Sequence, residues 1–106
     1  MRQASGSTNV GDQLRYLRVE WKHDYPSDPI LIYSELDDDG WEVRKVELFR
    51  DGQMGYASQQ AETEFTALGD VPVASLESLA ENLHFAPTLI SQDEFEYIWQ
   101  QARGAR

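Results

Sequence analysis

The sequence predicts an α+β fold, in which an antiparallel sheet of four or five strands forms a meander covered by two C-terminal helices. Three observations predict it. Asp51-Gly52 lies between two extended runs, 41–50 and 53–58, and this dipeptide is typical of a tight hairpin turn. Another turn, at 37–40, ends in glycine just before that first run. Beyond residue 75, apolar residues recur at helical spacing behind residues that favour helix starts.

The two turns set the expected pairing of the meander. A two-residue Asp51-Gly52 loop predicts a type I′ turn, with Arg50 facing Gln53 and Phe49 facing Met54. The earlier turn, Asp37-Asp38-Asp39-Gly40, is predicted as a four-residue loop.

The strands on either side of the first turn differ in pattern. The strand at 30–36 begins with four apolar residues in a row, which favours a central position with both faces partly covered. The strand at 41–50 changes phase, and a β-bulge at Arg44-Lys45 would return its apolar residues to one side. Those residues are Trp41, Val43, Val46 and Leu48.

The first strand and the loops around the meander complete the sheet. Leu17, Val19 and Trp21 alternate with a polar set that includes Tyr16, so this strand is predicted to be half buried with the polar set in solvent. Two prolines in the stretch 23–29 make it a loop. A short edge strand is predicted at 65–68.

Two helices are predicted to close the domain. Ser75 caps the first, whose apolar side runs to Leu83. The second begins with a capping box, Ser91 and Glu94, and with a hydrophobic staple. The staple residues are Ile90 and Phe95, the apolar stripe is Phe95, Ile98, Trp99 and Ala102, and Gly104 ends the helix.

Length and composition set the outer limits. The 106 residues predict one domain at 13–104 behind a flexible polar leader at 1–12. The chain has no cysteine, which excludes disulfides and thiolate chemistry and suits a reducing compartment. Because no apolar run approaches the roughly 20 residues of a membrane span and no signal peptide is recognisable, the expected location is cytoplasmic without membrane association.

The charge is strongly acidic and unevenly distributed. The formal net charge is −10; residues 1–23 carry four basic and two acidic side chains, and residues 24–106 carry five basic and seventeen acidic ones. This balance argues against nucleic acid as a partner, because such binding depends on Lys and Arg contacts to phosphate. It permits a basic protein partner, and it is also compatible with a charge that only maintains solubility.

The Asp triplet does not form a calcium loop of the EF-hand type. Asp37 and Asp39 alternate as ligands should, but Trp41 occupies the third ligand position and Leu48 the place of the bidentate glutamate. A solvated turn is the preferred interpretation.

Other reaction centres are not predicted either. Glu20, His23 and Asp24 lie close in sequence, but nothing fixes a three-ligand geometry, and the second histidine, His84, is distant in the chain. The chain has neither a nucleophile elbow nor a phosphate-binding loop. We therefore predict no catalytic residue, no metal and no cofactor, and expect the protein not to be an enzyme.

Several segments together resemble a bacterial family of small domains of unknown function. They are YLRVEW at 16–21, PILIYSELDDD at 29–39, WEVRKVELFRDGQMGYA at 41–57, Leu68-Gly69 and ISQDEFEYIW at 90–99. The resemblance covers about residues 14–103, and it implies no catalytic residues. Stand-alone acidic domains of this size in bacteria are often the immunity proteins of toxin–immunity pairs, which is an argument by analogy.

The leading hypothesis is a non-catalytic binding protein that neutralises a basic, nuclease-type toxin. Its expected partner-binding residues are Asp37, Asp38 and Asp39, followed by Glu35, Glu42 and Glu47. A small enzyme or ligand-binding domain with a pocket near His23, Asp24 or Tyr33 is a first alternative. A regulatory module that acts through an open sheet edge is another. The sequence leaves the oligomeric state open.

Overall fold

The computed structural model describes residues 13–104, so the predicted leader at 1–12 lies outside the described residues. In this part of the chain five strands form one sheet, in the order β4-β3-β2-β1-β5, with antiparallel neighbours. The elements are β1 (Arg15–Trp21), β2 (Pro29–Leu36), β3 (Glu42–Phe49), β4 (Met54–Ala57), α1 (Leu76–Ala80), β5 (Phe85–Ile90) and α2 (Gln92–Ala102). The α+β class, the meander and the central place of β2 are confirmed.

Both hairpin turns are tight, and each has three residues in its loop. Phe49 donates its N–H to the carbonyl of Gln53 (2.9 Å), and Leu48 lies opposite Met54, so the predicted register is wrong by one residue. The loop at 38–40 is closed in the same way. Gly40 (φ 86°) and Gly52 (φ 92°) take the left-handed position of such loops, which require positive φ at one residue only. The type I′ turn predicted here would require it at two.

The predicted bulge in β3 exists, but one residue earlier. Leu36 lies opposite Glu42 and Glu35 opposite Arg44, so Val43 is the inserted residue. The insertion places Glu42 on the same side of the sheet as Lys45, and Lys45 Nζ lies 3.0 Å from the Glu42 carboxylate.

Helix α2 crosses one face of the sheet and forms the larger core there. Its Phe95 ring packs 5.4 Å from the Tyr16 ring, and its Trp99 ring packs 5.4 Å from the Tyr56 ring. The buried members of this core are Tyr16, Tyr33, Val46, Phe95 and Trp99. Tyr16 was predicted to face solvent, and that prediction is wrong because α2 covers this side of β1.

The opposite face is covered by the segment 62–80, which contains α1. Leu17, Val19 and Leu36 are buried there, packed against Val73, Leu76, Leu79 and Phe85. Helix α1 has only five residues, and Leu83, predicted to lie on its apolar side, is 89% exposed. The chain then returns as β5 beside β1, which the sequence did not predict, and no strand forms at 65–68. The predicted pair of covering helices is therefore one long helix, one short helix and an intervening strand.

Both predicted N-cap residues are confirmed. Ser75 Oγ accepts from the N–H of Ser78, and Ser91 Oγ accepts from the N–H of Glu94 (both 3.1 Å). Gly104 (φ 77°) follows the end of α2. Neither helix of residues 13–104 has the length and apolarity needed to cross a membrane.

Candidate interaction site

The β2–β3 turn presents two of its three aspartates to solvent. Asp37 folds inward, and its Oδ1 accepts from the backbone N–H of Asp39 (2.9 Å) and of Trp41 (3.0 Å). Asp38 and Asp39 are exposed, and within residues 13–104 neither forms an ion pair with a Lys or Arg. The backbone N–H of Gln13 donates to Asp38 Oδ1 (3.1 Å). The turn is thus held by Asp37, and its negative charge is available at Asp38 and Asp39.

A small apolar groove of about 210 Å³ lies beside this turn. Its walls include Leu17, Leu36, Val73, Leu76 and Leu89, and Asp38, Asp39 and Arg15 lie along it. Leu89 is 59% exposed, although it stands on a strand. A side chain with an apolar stem and a cationic end fits this combination of walls and rim.

Glu35, by contrast, is buried between the sheet and α2. Its side chain accepts two hydrogen bonds from Arg44 (2.6 and 2.9 Å) and one from the Tyr16 hydroxyl (2.9 Å). Arg44 also donates to Glu96 (2.6 Å) and lies 5.0 Å from the ring centroids of both Phe95 and Trp99. These residues, Glu35, Arg44, Glu96 and Tyr16, are called the interior charge cluster below.

The pKa shifts within the interior charge cluster follow from these contacts. Burial raises the pKa of Tyr16 to about 12, and the hydrogen bond to Glu35 adds to the rise. The hydrogen bonds to Glu35 raise the pKa of Arg44 against the opposing effect of burial. The hydrogen bond from Arg44 lowers the pKa of Glu96. The cluster therefore keeps its guanidinium charged at every physiological pH.

Glu42 and Glu47 lie on the other face, under the segment that joins β4 to α1. The side chain of Glu42 is 5% exposed, and it binds the backbone N–H of Gly69 (2.7 Å) as well as Lys45. Glu47 accepts from the Thr66 hydroxyl (2.8 Å), and burial raises its pKa. Like Glu35, both carboxylates hold parts of the domain together, which leaves Asp38 and Asp39 as the exposed pair of the six predicted residues.

A cavity of about 750 Å³ lies at the other end of the strands and includes both histidines. His23 is fixed there as one tautomer. Its Nδ1 must accept from the backbone N–H of Tyr25 (2.9 Å), so its Nε2 carries the proton that is donated to the Pro29 carbonyl (2.7 Å). Asp24 lines the cavity too, but Tyr33 is buried beneath α2, where burial raises its pKa. Residues 13–104 contain no group of three His, Asp or Glu side chains placed to hold a metal ion.

Both edges of the sheet carry features that oppose the addition of another strand. On β4, Tyr56 N–H donates to the Thr63 hydroxyl (3.0 Å), and Tyr56 C=O accepts from Thr63 N–H (2.9 Å). On β5, the N–H of Lys22 donates to the His84 carbonyl, so Lys22 and His84 form a hydrogen-bonded pair. Hydrogen-bonded and non-hydrogen-bonded pairs alternate along antiparallel strands, so the backbone of Pro87 faces away from β1. Proline offers no donor at that outward position. A regulatory role through an open edge therefore has little structural support.

Comparison with known proteins places the chain in a family. A family model described as a domain of unknown function, DUF6881, matches residues 15–104. The chain belongs to this family. The DUF6881 match spans every strand and helix named above, in agreement with the resemblance found in the sequence. Separate comparisons with curated proteins and with solved structures found no match.

Some residues of the candidate site were missed by the sequence reasoning. Leu76 and Leu89 line the groove only because β5 returns beside β1, and that strand was not predicted. The sequence does contain one signal for the charge of this side of the domain. Residues 51–102 contain nine carboxylates and no Lys or Arg. Much of this stretch covers the same face of the sheet as the groove. A run without cations marks a segment of a single charge sign, although Arg15 of β1 borders the groove.

Proposed function

We propose that this protein is a non-catalytic binding protein, the immunity protein of a bacterial toxin–immunity pair, and that it neutralises a basic, nuclease-type toxin. The observation that carries the proposal is the exposed pair Asp38 and Asp39, which has no cationic partner in residues 13–104 and borders an apolar groove. A nuclease must itself present Lys and Arg to phosphate, so its active surface is complementary to this one.

The rigidity of the turn supports the same role. Asp37 holds the loop from within, and Gly40 is buried against Val73, whose N–H donates to the Gly40 carbonyl (2.8 Å). Charges on a fixed loop lose little freedom on binding. They also raise the rate of association with an oppositely charged protein at low salt.

The test measures association rates with the protein encoded by the adjoining reading frame. We expect that protein to be basic and to bind the wild-type chain rapidly at low ionic strength. The double variant Asp38→Lys/Asp39→Lys should slow association about tenfold or more at low salt and flatten its salt dependence. Unchanged association kinetics in this variant would contradict the assignment of the site.

A matched control separates the turn from the overall charge of the molecule. Glu20→Lys/Glu94→Lys changes the net charge by the same amount, and both residues are exposed on the face of the sheet that α2 covers, opposite the groove. We expect a much smaller change in association rate, because the steering charge must lie close to the contact. A loss equal to that of the turn variant would mean that net charge alone drives the encounter.

The cavity with the two histidines supports a second candidate, a ligand-binding domain. Its volume of about 750 Å³ is within the range of small-molecule sites. His84 lines it and is exposed, and its Nδ1 lies 3.2 Å from the Lys22 carbonyl. Against a catalytic role, His23 must break a hydrogen bond before either ring nitrogen can act on a substrate. Soaking a crystal with a small-fragment library, and finding density in this cavity, would favour this candidate.

A further inference from the structure

The turn at 63–66 projects a phenylalanine into solvent. Phe65 is 80% exposed, whereas Thr66 beside it is 2% exposed. The N–H of Thr66 donates to the Thr63 carbonyl (3.4 Å), so Glu64 and Phe65 form the tip of the turn. A side chain with this exposure buries little apolar surface in the fold, so most of its ring is available for contact with another molecule.

The turn is pinned to the sheet on both sides of its tip. Thr63 exchanges hydrogen bonds with the backbone of Tyr56, and Thr66 donates its hydroxyl to Glu47. Gly55 makes this close approach possible. A Cβ at this position would overlap the Thr66 hydroxyl and would lie 2.9 Å from the Thr63 hydroxyl. Phe65 is therefore exposed on a fixed support, which is how a preorganised contact residue is presented.

Phe65 also borders a cavity of about 310 Å³, together with Phe49 and Pro26. Asp51 lies on the same cavity, and Glu64 precedes Phe65 in the turn. Residues 58–84, which include this turn, carry five carboxylates and no Lys or Arg. Two copies of the chain would repel each other across this surface, so its charge selects a basic occupant.

We propose that Phe65 is the apolar anchor of the contact with the basic partner, and that it inserts into an apolar cleft edged by Lys or Arg. This inference rests on the proposed function and extends it from the acidic turn to the segment that covers the same face of the sheet. The two parts have different roles. Asp38 and Asp39 accelerate the encounter, and Phe65 slows dissociation because it buries aromatic surface in the bound state.

The experiment measures both rate constants for the protein of the adjoining reading frame. Phe65→Ala should raise the Kd about 30-fold, mainly through faster dissociation, and should leave the salt dependence of association unchanged. Phe65→Leu should give a Kd between those of the wild type and of Phe65→Ala. Tyr97→Ala is the matched control: Tyr97 is 65% exposed on α2, and it should alter the Kd less than about threefold.

The outcomes separate the two proposals. A wild-type chain that does not bind the adjoining product overturns the proposed function and this inference with it. If the wild type binds tightly and the Kd of Phe65→Ala is within threefold of the wild-type Kd, the role of Phe65 is overturned and the proposed function is not. Because Phe65 is exposed, we expect the variant to keep the wild-type Tm. If Phe65→Ala binds more weakly but has the same Tm as the wild type, the weaker binding is due to a lost contact and not to unfolding.

Discussion

Glu35 and Asp38 lie three positions apart in one hairpin, yet their carboxylates serve different purposes. Glu35 is 3% exposed and is bound by Arg44 and Tyr16 inside the interior charge cluster. Asp38 is exposed, and within residues 13–104 no cation pairs with it. The difference shows that what covers a carboxylate decides whether it stabilises the fold or stays available at the surface. Four predictions test this division, from the largest effect on stability to the smallest.

Replacing Glu35 by Gln should lower the free energy of unfolding by about 2–4 kcal/mol. The amide keeps the volume of the side chain but removes the negative charge that pairs with Arg44. The Arg44 side chain is only 21% exposed, so water cannot replace that charge fully. Urea unfolding measures the loss. The control, Asp38→Asn, removes the same charge from the surface and should change stability by less than about 0.5 kcal/mol. Equal losses in the two variants would abolish the distinction between them.

Replacing Gly40 by Ala should cost about 2 kcal/mol, and replacing Gly52 by Ala about 1 kcal/mol. Both glycines have positive φ, so both substitutions strain the backbone. A Cβ on Gly40 would in addition lie 3.2 Å from the Val73 carbonyl, whereas one on Gly52 would meet nothing within 4 Å. Thermal unfolding of both variants tests this, and a larger loss at Gly52 would show that the acidic turn is not the more rigid one.

Asp37 should prove to be the structural member of the acidic turn. Asp37→Ala removes the acceptor of two backbone N–H groups and should cost about 1–2 kcal/mol. Asp51→Ala, in the other hairpin, removes the acceptor of one N–H and should cost about half as much. If Asp37→Ala were as stable as the wild type, the turn would be held by its glycine alone.

Glu47→Gln should raise the Tm slightly at neutral pH. Burial raises the pKa of Glu47 above its ordinary value of 4.5, so the ionised form costs stability in the folded state. That cost is present above the raised pKa and disappears as the pH falls below the ordinary value, where folded and unfolded chains are both protonated. The Tm difference between variant and wild type should therefore shrink with acidification, and a difference independent of pH would rule out this cause.

Local signals in the sequence predicted the parts of the fold that depend on neighbouring residues. Asp51-Gly52 marked a reversal, and Ser91 marked the start of α2, because turns and caps are made by side chains within a few positions of each other. The register at Phe49 was wrong by one residue, since two-residue and three-residue loops share the same dipeptide.

Features that depend on distant parts of the chain could not be predicted. Strand alternation assigns one face of β1 to solvent, but α2, some 75 positions later, buries Tyr16 on that face. The same helix brings Glu96 to Arg44. Strand β5 was overlooked because Pro87 is a poor strand former, and only its edge position makes the missing N–H harmless. The candidate groove depends on that strand. The sequence therefore predicted the acidic residues beside the groove, Asp38 and Asp39, but not the apolar residues that line it, such as Leu89.

The two protected edges of the sheet affect how concentrated the protein can become. One edge carries the Thr63 hydrogen bonds, and the other carries Pro87. A concentrated β-protein with unprotected sheet edges is prone to stack into fibrils. Here the β4 edge already has its Tyr56 backbone groups paired with Thr63, and the β5 edge lacks a donor at its centre. We therefore expect the domain to reach high concentration without edge-to-edge pairing between copies.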